Sequence, residues 1–174
     1  MVGLNSLDRA IPPEDFRTAM RNQVSTVSII ACGSVGFRSG LTVTAACSLS
    51  DNPAMVSVCI NRSSQAHHAI REAGCFSLNL LCAGQVRLAD TFSGRTGLSG
   101  EARFIEGIWC NLSTGAPVLD GALANFDCIL QSDHEFPSHS IFAGVVEAAR
   151  VDPDGSPLLY ARGRYLTLEC AKAS

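Results

Sequence analysis

Charge is the first thing this sequence has little of. Only 17% of its 174 residues are Asp, Glu, Lys or Arg, against about 25% in an average soluble domain. So few charges on so small a protein predict that part of its surface is buried between subunits. Lysine is nearly missing, with Lys172 set against twelve arginines, and the net charge is −3. Nucleic-acid binding needs a basic stripe, and none is present. No apolar run reaches the roughly 18 residues of a membrane helix, so no membrane association is expected. Asp8, Arg9, Glu14 and Asp15 interrupt the N-terminal stretch; no secretory signal is expected there, and the protein is read as cytoplasmic.

Paired cysteine motifs are also missing. Cys32, Cys47, Cys59, Cys75, Cys82, Cys110, Cys128 and Cys170 are scattered, none in a C-x-x-C pair. They read as reduced, buried small hydrophobes, not a disulfide framework or a zinc site. His67, His68, His134 and His139 lack the spacing and cysteine partners of zinc ligands, so no metal is expected. His67 and His68 read as exposed helix residues, and His134 as loop surface. Neither a Walker loop nor a G-x-S-x-G elbow occurs. Gly33-Ser34-Val35-Gly36 with Gly40 has the wrong spacing for a dinucleotide fold and leads into a strand, which makes it a hairpin turn. Asn61-Arg62-Ser63 and Asn111-Leu112-Ser113 match the glycosylation pattern by accident.

What is present is a core. Hydrophobic residues make up 47% of the chain, enough to exclude disorder and to build one domain over residues 1–174. Pro12-Pro13 followed by Glu14 and Asp15 predicts a short helix start. Strands are expected at 24–32, 41–45, 54–61 and 75–81, then at 104–110, 122–131, 140–151 and 158–169, the last interrupted at Gly163. Helices are expected from Ser63 or Ser64 to Gly74 and over 84–92, with a Gly/Ser/Thr-rich loop at 93–101. The Asp152-Pro153-Asp154-Gly155 turn separates the last two strands. Strands outnumber helices, and the alternation is too sparse for a parallel sheet. A closed or partly closed antiparallel barrel with short flanking helices follows.

The stretch from Thr42 to Ser64 carries the most chemistry. Thr42, Thr44, Cys47, Ser48 and Ser50 are small residues near strand ends, where a flat heterocycle could approach the backbone. Arg62, Ser63 and Ser64 precede a helix N-terminus, a setting suited to phosphate. The same residues equally describe a strand, a turn and an ordinary capped helix.

The stretches Gly40-Leu-Thr-Val-Thr-Ala-Ala-Cys-Ser-Leu-Ser-Asp-Asn-Pro53 and Val58-Cys-Ile-Asn-Arg-Ser-Ser64 are joined by Cys75-Phe-Ser-Leu-Asn-Leu-Leu81, Phe92-Ser-Gly-Arg-Thr-Gly97 and Gly115-Ala-Pro-Val-Leu119. Ser138-His-Ser-Ile-Phe142 and Pro157-Leu-Leu-Tyr-Ala-Arg-Gly-Arg-Tyr165 complete the series. In this order they resemble the short-chain flavin reductases of two-component aromatic monooxygenases, such as those for 4-hydroxyphenylacetate and chlorophenol. Corrinoid reductases and the reductase of pyrimidine breakdown share much of the pattern. The resemblance implies a mainly β, Greek-key split barrel that binds FMN. It also implies a homodimer that oxidises NADH or NADPH, reduces FMN or FAD, and supplies reduced flavin to a large flavin-dependent monooxygenase. By the same resemblance, Leu41, Thr42, Val43, Thr44, Ala45 and Cys47 line the isoalloxazine and ribityl chain, and Ser48 and Leu49 close on the ring edge. Cys59, Arg62, Ser63, Ser64 and Gln65 gather at the ribityl–phosphate end. Tyr160, Ala161, Arg162 and Gly163 flank flavin and nicotinamide. His139 matches the histidine of the nicotinamide site and is expected to orient that ring, not to transfer a proton. The family has Gly followed by Asp, Thr or Ser before that histidine, whereas Pro137-Ser138 stand here. Hydride transfer needs no protein nucleophile, in keeping with the small residues. Two other readings stay open: a flavoprotein with bound flavin that reduces another acceptor such as a corrinoid, and a flavin-binding module without turnover.

Overall fold

The computed structural model describes residues 10–152 and 154–168. Asp8, Arg9, Pro153, Cys170 and Lys172, all named above, lie outside them, as does the last residue of the strand expected at 158–169. Helix α1 (Pro13–Met20) opens with proline in its first turn and Glu14 and Asp15 beside it, where a missing N–H costs nothing and negative charge meets the helix dipole.

The expected strand at 24–32 is divided. Its first part, β1 (Ser25–Thr26), pairs with β11 (Leu158–Ala161) in a small sheet completed by β12 (Arg164–Thr167). Its second part, β2 (Ser28–Cys32), lies between β3 (Ser39–Val43) and β6 (Cys75–Leu80) in the main sheet. All five β2 residues are buried. Ile30 and Cys32 pack with Val58, Ile60, Phe76 and Phe142, whereas Ile29 and Ala31 face Phe92, Phe104 and Leu119. A strand covered on both faces calls for an unbroken apolar run.

The main sheet is completed by β4 (Ala46–Asp51), β5 (Ala54–Asn61), β9 (Ala124–Glu135) and β10 (His139–Val151), in the order β3-β2-β6-β9-β10-β5-β4 with antiparallel neighbours. Its two edges, β3 and β4, are consecutive in the chain, with only Thr44 and Ala45 between them. Laid flat, six inter-strand steps of about 4.8 Å would separate those edges by about 29 Å. A two-residue link reaches only about 11 Å. The sheet therefore curls until its edges meet at Thr44-Ala45, and the barrel is split along that seam.

Helix α2 (Gln65–Ala73) starts at the Ser64 N-cap, whose hydroxyl accepts from His67 N–H, and stops at Gly74 with φ 65°. A 3-10 turn at Ala83–Gln85 leads into α3 (Val86–Phe92). The strand expected at 104–110 is mostly replaced by a 3-10 helix, Gly100–Ile105. Buried Phe104 packs edge-on to Phe92 and beside Trp109, and that aromatic cluster overrides strand propensity. Only β7 (Trp109–Asn111) remains of it, paired with β8 (Pro117–Leu119). Neither β4 nor β8 is foreseen in the sequence.

Two side-chain expectations are corrected. His67 is buried, because it shares the inward face of α2 with Ala66 and Ile70; His68 is exposed as expected. His134 is exposed but sits on β9, not in a loop. Among the described cysteines only Cys32 and Cys128 are fully buried, and Cys47 is exposed. Burial pushes the Cys32 and Cys128 thiols up to about 12, so both stay protonated and inert.

Candidate functional site

The seam opens into a cavity of about 640 Å³, within the range of about 300–1,000 Å³ typical of small-molecule sites. Leu41, Thr42, Val43, Thr44 and Ala45 form one wall. Cys59 and Asn61 from β5 and His139 and Ile141 from β10 form the other, with Phe16 and Phe136 completing the lining. No Asp, Glu, Lys or Arg among the described residues lines the slot. The protein's own side chains leave this space open. As a sheet edge, β3 pairs with β2 alone among the described strands.

The β3 wall is held from behind. Thr42 donates its hydroxyl to Ala89 O at 2.7 Å, which ties the strand to α3. Arg103 donates to Gly40 O at 2.9 Å, Phe92 O at 3.2 Å and Leu98 O at 2.9 Å, and burial lowers its pKa. Gly40 has no room for a side chain, since a Cβ would lie 2.7 Å from Ile30 O and 2.9 Å from the Phe92 ring. On the other wall Cys59 N–H donates to Ala45 O at 2.9 Å, carrying the β4–β5 ladder up to the seam.

His139 stands opposite Asn61, and its Nδ1 is 2.8 Å from Ser138 Oγ. Phe136 N–H donates to His139 O at 2.8 Å, and Arg62 N–H to Ser138 O at 3.1 Å. Pro137 occupies the tip of this hairpin, where a missing N–H is harmless. Pro137 alone departs from the family pattern, and Ser138, which fits it, sets its hydroxyl against the imidazole.

Arg62 is engaged in bracing that hairpin. Its guanidinium pairs with Glu135 at 2.8 Å and donates to Phe136 O at 3.4 Å. Arg71 joins the group through Asp133 and, at 2.7 Å, Glu135. Arg71 first and Arg62 second hold the Glu135 carboxyl below its usual range. Ser63 donates through both N–H and Oγ to Asn61 Oδ1, at 2.9 and 2.8 Å, and Ser64 Oγ donates to Asn61 O at 2.8 Å. This Asx turn positions the α2 N-terminus beside the slot, with Gln65 exposed at the first helical position.

Not every expected residue meets in the slot. Leu41 to Ala45, Cys59 and His139 do. Cys47 and Ser48 instead line a separate cavity of about 500 Å³ with Thr26, Ser28, Met55 and Phe126, and Leu49 is 52% exposed. A bulge between Ser48 and Ser50 interrupts the alternation of β4 there. Tyr160, Ala161 and Arg162 line a third cavity, of about 300 Å³, which shares Phe16, Thr44 and Ala45 with the slot. Gly163 completes the β11–β12 turn at φ 78°. Sequence reasoning missed Phe16, Asn61, Phe136 and Ile141 as slot residues. Asn61 could have been found, because strand alternation puts it on the same side as Cys59. Phe16 and Phe136 arrive from a helix and a hairpin with no local signal.

Small walls, backbone edges, one imidazole and no acid–base pair make a binding slot for a flat, uncharged ring system with a polar rim. Size, openness and the adjoining α2 N-terminus fit a flavin mononucleotide. The fold and this slot define a split-barrel protein of the flavin-binding class. Residues 20–169 match the model of the flavin reductase like domain, and the chain belongs to that family. It is 40% identical over 159 residues to FMN reductase (NADH) RutF 1 of Methylorubrum extorquens, covering 91% of this chain and 78% of that protein. A nitrilotriacetate monooxygenase component B homologue from Mycobacterium thermoresistibile superposes with a TM-score of 0.83 at 27% identity, covering 98% of this chain and 92% of that one. BorF, the flavin reductase component of a bacterial two-component tryptophan halogenase, gives 0.83 at 26% identity, covering 90% and 98%.

Proposed function

We propose that the protein is an NADH-dependent flavin reductase that accepts FMN in the seam slot and releases reduced flavin to a separate, large flavin-dependent monooxygenase. It works in the cytoplasm as a homodimer. The observation that carries this reading is the open, uncharged slot between Leu41–Ala45 and Cys59–His139. The choice of FMN and NADH is supported by the name of the RutF relative. Transfer to an oxygenating partner is supported by the component names of the two structural neighbours.

When bound, the flavin supplies the ring that accepts hydride from the nicotinamide. The chain's own residues bind and orient. The backbone of Leu41 to Ala45 forms the floor, and the Asn61-Ser63-Ser64 turn receives the phosphate end at the α2 N-terminus. His139, steadied by Ser138, orients the nicotinamide. Nothing in this arrangement requires a nucleophile or a proton transfer by the protein.

The test is the absorbance of NADH in the near ultraviolet, followed in the presence and absence of added FMN or FAD. Consumption that accelerates with free FMN is the expected result. A purified, folded protein that consumes no NADH with either flavin overturns the reading.

A further inference from the structure

We propose that Arg17, Arg21 and Arg162 form the subsite that grips the pyrophosphate of the nicotinamide dinucleotide, next to the ring slot. The inference rests on the NADH-oxidising reading and adds where the dinucleotide's charge is held.

The cavity of about 300 Å³ beside the seam counts these three arginines among its lining residues and no Asp or Glu among the described residues. In a chain whose net charge is −3, this is a local reversal of sign. Seven ion pairs occur among the described residues, and none involves Arg17, Arg21 or Arg162. Within the described residues the three cations are therefore free for an anion, unlike Arg62, which Glu135 holds. Arg17 and Arg21 are one helical turn apart and share a face of the α1 end.

Arg162 reaches the same place at a backbone cost. It is the one non-glycine with positive φ among the described residues, at 52°, a conformation that favours Gly or Asn. Its N–H donates to Arg21 O at 2.7 Å, which ties the β11–β12 turn to the end of α1. Backbone strain retained at a cavity wall is a feature of ligand clamps.

The cavity adjoins the slot, sharing Phe16, Thr44 and Ala45 with it. One compartment is uncharged and suits rings; its neighbour is cationic and suits a pyrophosphate dianion. A nicotinamide dinucleotide has that division, with its ring one ribose away from its charge. The flavin phosphate has its own place at the α2 N-terminus, beside Asn61, which the cationic cavity does not share.

The experiment uses the paired variant Arg17→Gln/Arg21→Gln, on a helix with no buried residue, and separately Arg162→Asn, which tolerates the positive φ. Each is assayed with NADH and with 1-benzyl-1,4-dihydronicotinamide, a hydride donor with the same ring and no phosphate. Binding of FMN and of FAD is followed by quenching of flavin fluorescence. In the variants the ratio of kcat/KM for NADH to that for the benzyl donor falls about tenfold, as expected for lost charge-assisted hydrogen bonds. The rise of the NADH KM with salt also flattens. An unchanged ratio overturns the proposal, as does weakened FAD binding with an unmoved NADH KM, which assigns the cations to the flavin dinucleotide. If the wild-type protein oxidises neither donor, the reductase reading fails by itself. The subsite is then judged by calorimetry with NAD⁺: binding lost in the paired variant supports it, and equal binding overturns it.

Discussion

His67 and His139 carry the same side chain into opposite settings. His67 is buried, with Nε2 2.9 Å from Ser140 Oγ and its ring edge-on to Phe142 at 5.1 Å. Burial first, then the Arg71 guanidinium and His68, lower its pKa from 6.5, against a smaller opposing pull from Asp133 and Glu135. The unfolded chain therefore takes up the proton more readily than the folded one. His67 contributes stability that is complete above about pH 6.5 and is lost as pH falls through that value toward the folded pKa. Urea midpoints measured from pH 7.5 down to 5 should fall more steeply for the wild type than for His67→Gln. Parallel curves would show that His67 does not titrate with folding. His139 is exposed and lies in the slot. His139→Ala should raise the KM for NADH roughly tenfold, the loss of one hydrogen bond of about 1.5 kcal/mol. Steady-state kinetics with KM and kcat both unchanged would remove His139 from nicotinamide binding. The sequence shows both histidines, but burial depends on which face of α2 turns inward. A single His67-His68 pair could not reveal that.

At the scale of elements, β3 is the piece on which the site depends, and Gly40 sets how closely it lies on β2. Gly40→Ala would force a Cβ against Ile30 O and the Phe92 ring, and overpacking of this kind costs about 1–3 kcal/mol. The strand would shift away from its neighbours and take the slot wall with it. Calorimetry should show a Tm lower by several degrees, together with weaker FMN binding. An unchanged Tm would mean that β3 has more slack than these contacts allow. Elements whose signal is local were legible in the sequence: the capped helix α2 ending at Gly74, the alternating β5, and the break of the last strand at Gly163. Elements stabilised by distant partners were not. β4 is polar and largely exposed and becomes a strand only by pairing with β5. The residues around Phe104 look like a strand until Phe92 and Trp109 draw them into a 3-10 turn. The site followed the same division. Leu41 to Ala45, which the family resemblance marks, are contiguous in the chain and line one cavity, whereas Phe16 and Phe136 enter it only through tertiary folding.

For the molecule as a whole, the scarcity of charge and the second cavity point the same way. The space of about 500 Å³ beside β4 is lined by Met55, Val56, Leu78, Leu80, Phe126 and Val146 together with small polar residues, and Asp51 is its only charged lining residue among those described. Leu49 and Ile129, 52% and 45% exposed, add apolar area elsewhere on the surface. Cys47 and Ser48 line this cavity, Leu49 follows them on β4, and none of the three lines the chain's own slot. Sedimentation should give a mass of about twice the 18.4 kDa chain. Met55→Asp places a second carboxylate in a cavity that already holds Asp51 and has no Lys or Arg among its described lining residues, where a buried and unpaired charge is strongly unfavourable. That variant should sediment as the single chain while keeping its β-rich circular dichroism. Its FMN affinity should fall with dimerisation if Cys47 to Leu49 reach the ring from the neighbouring copy, and should not change if the slot is complete within one chain. A wild-type protein that sediments at the mass of one chain at every concentration would leave the low charge without its explanation and return Cys47 to Leu49 to the solvent.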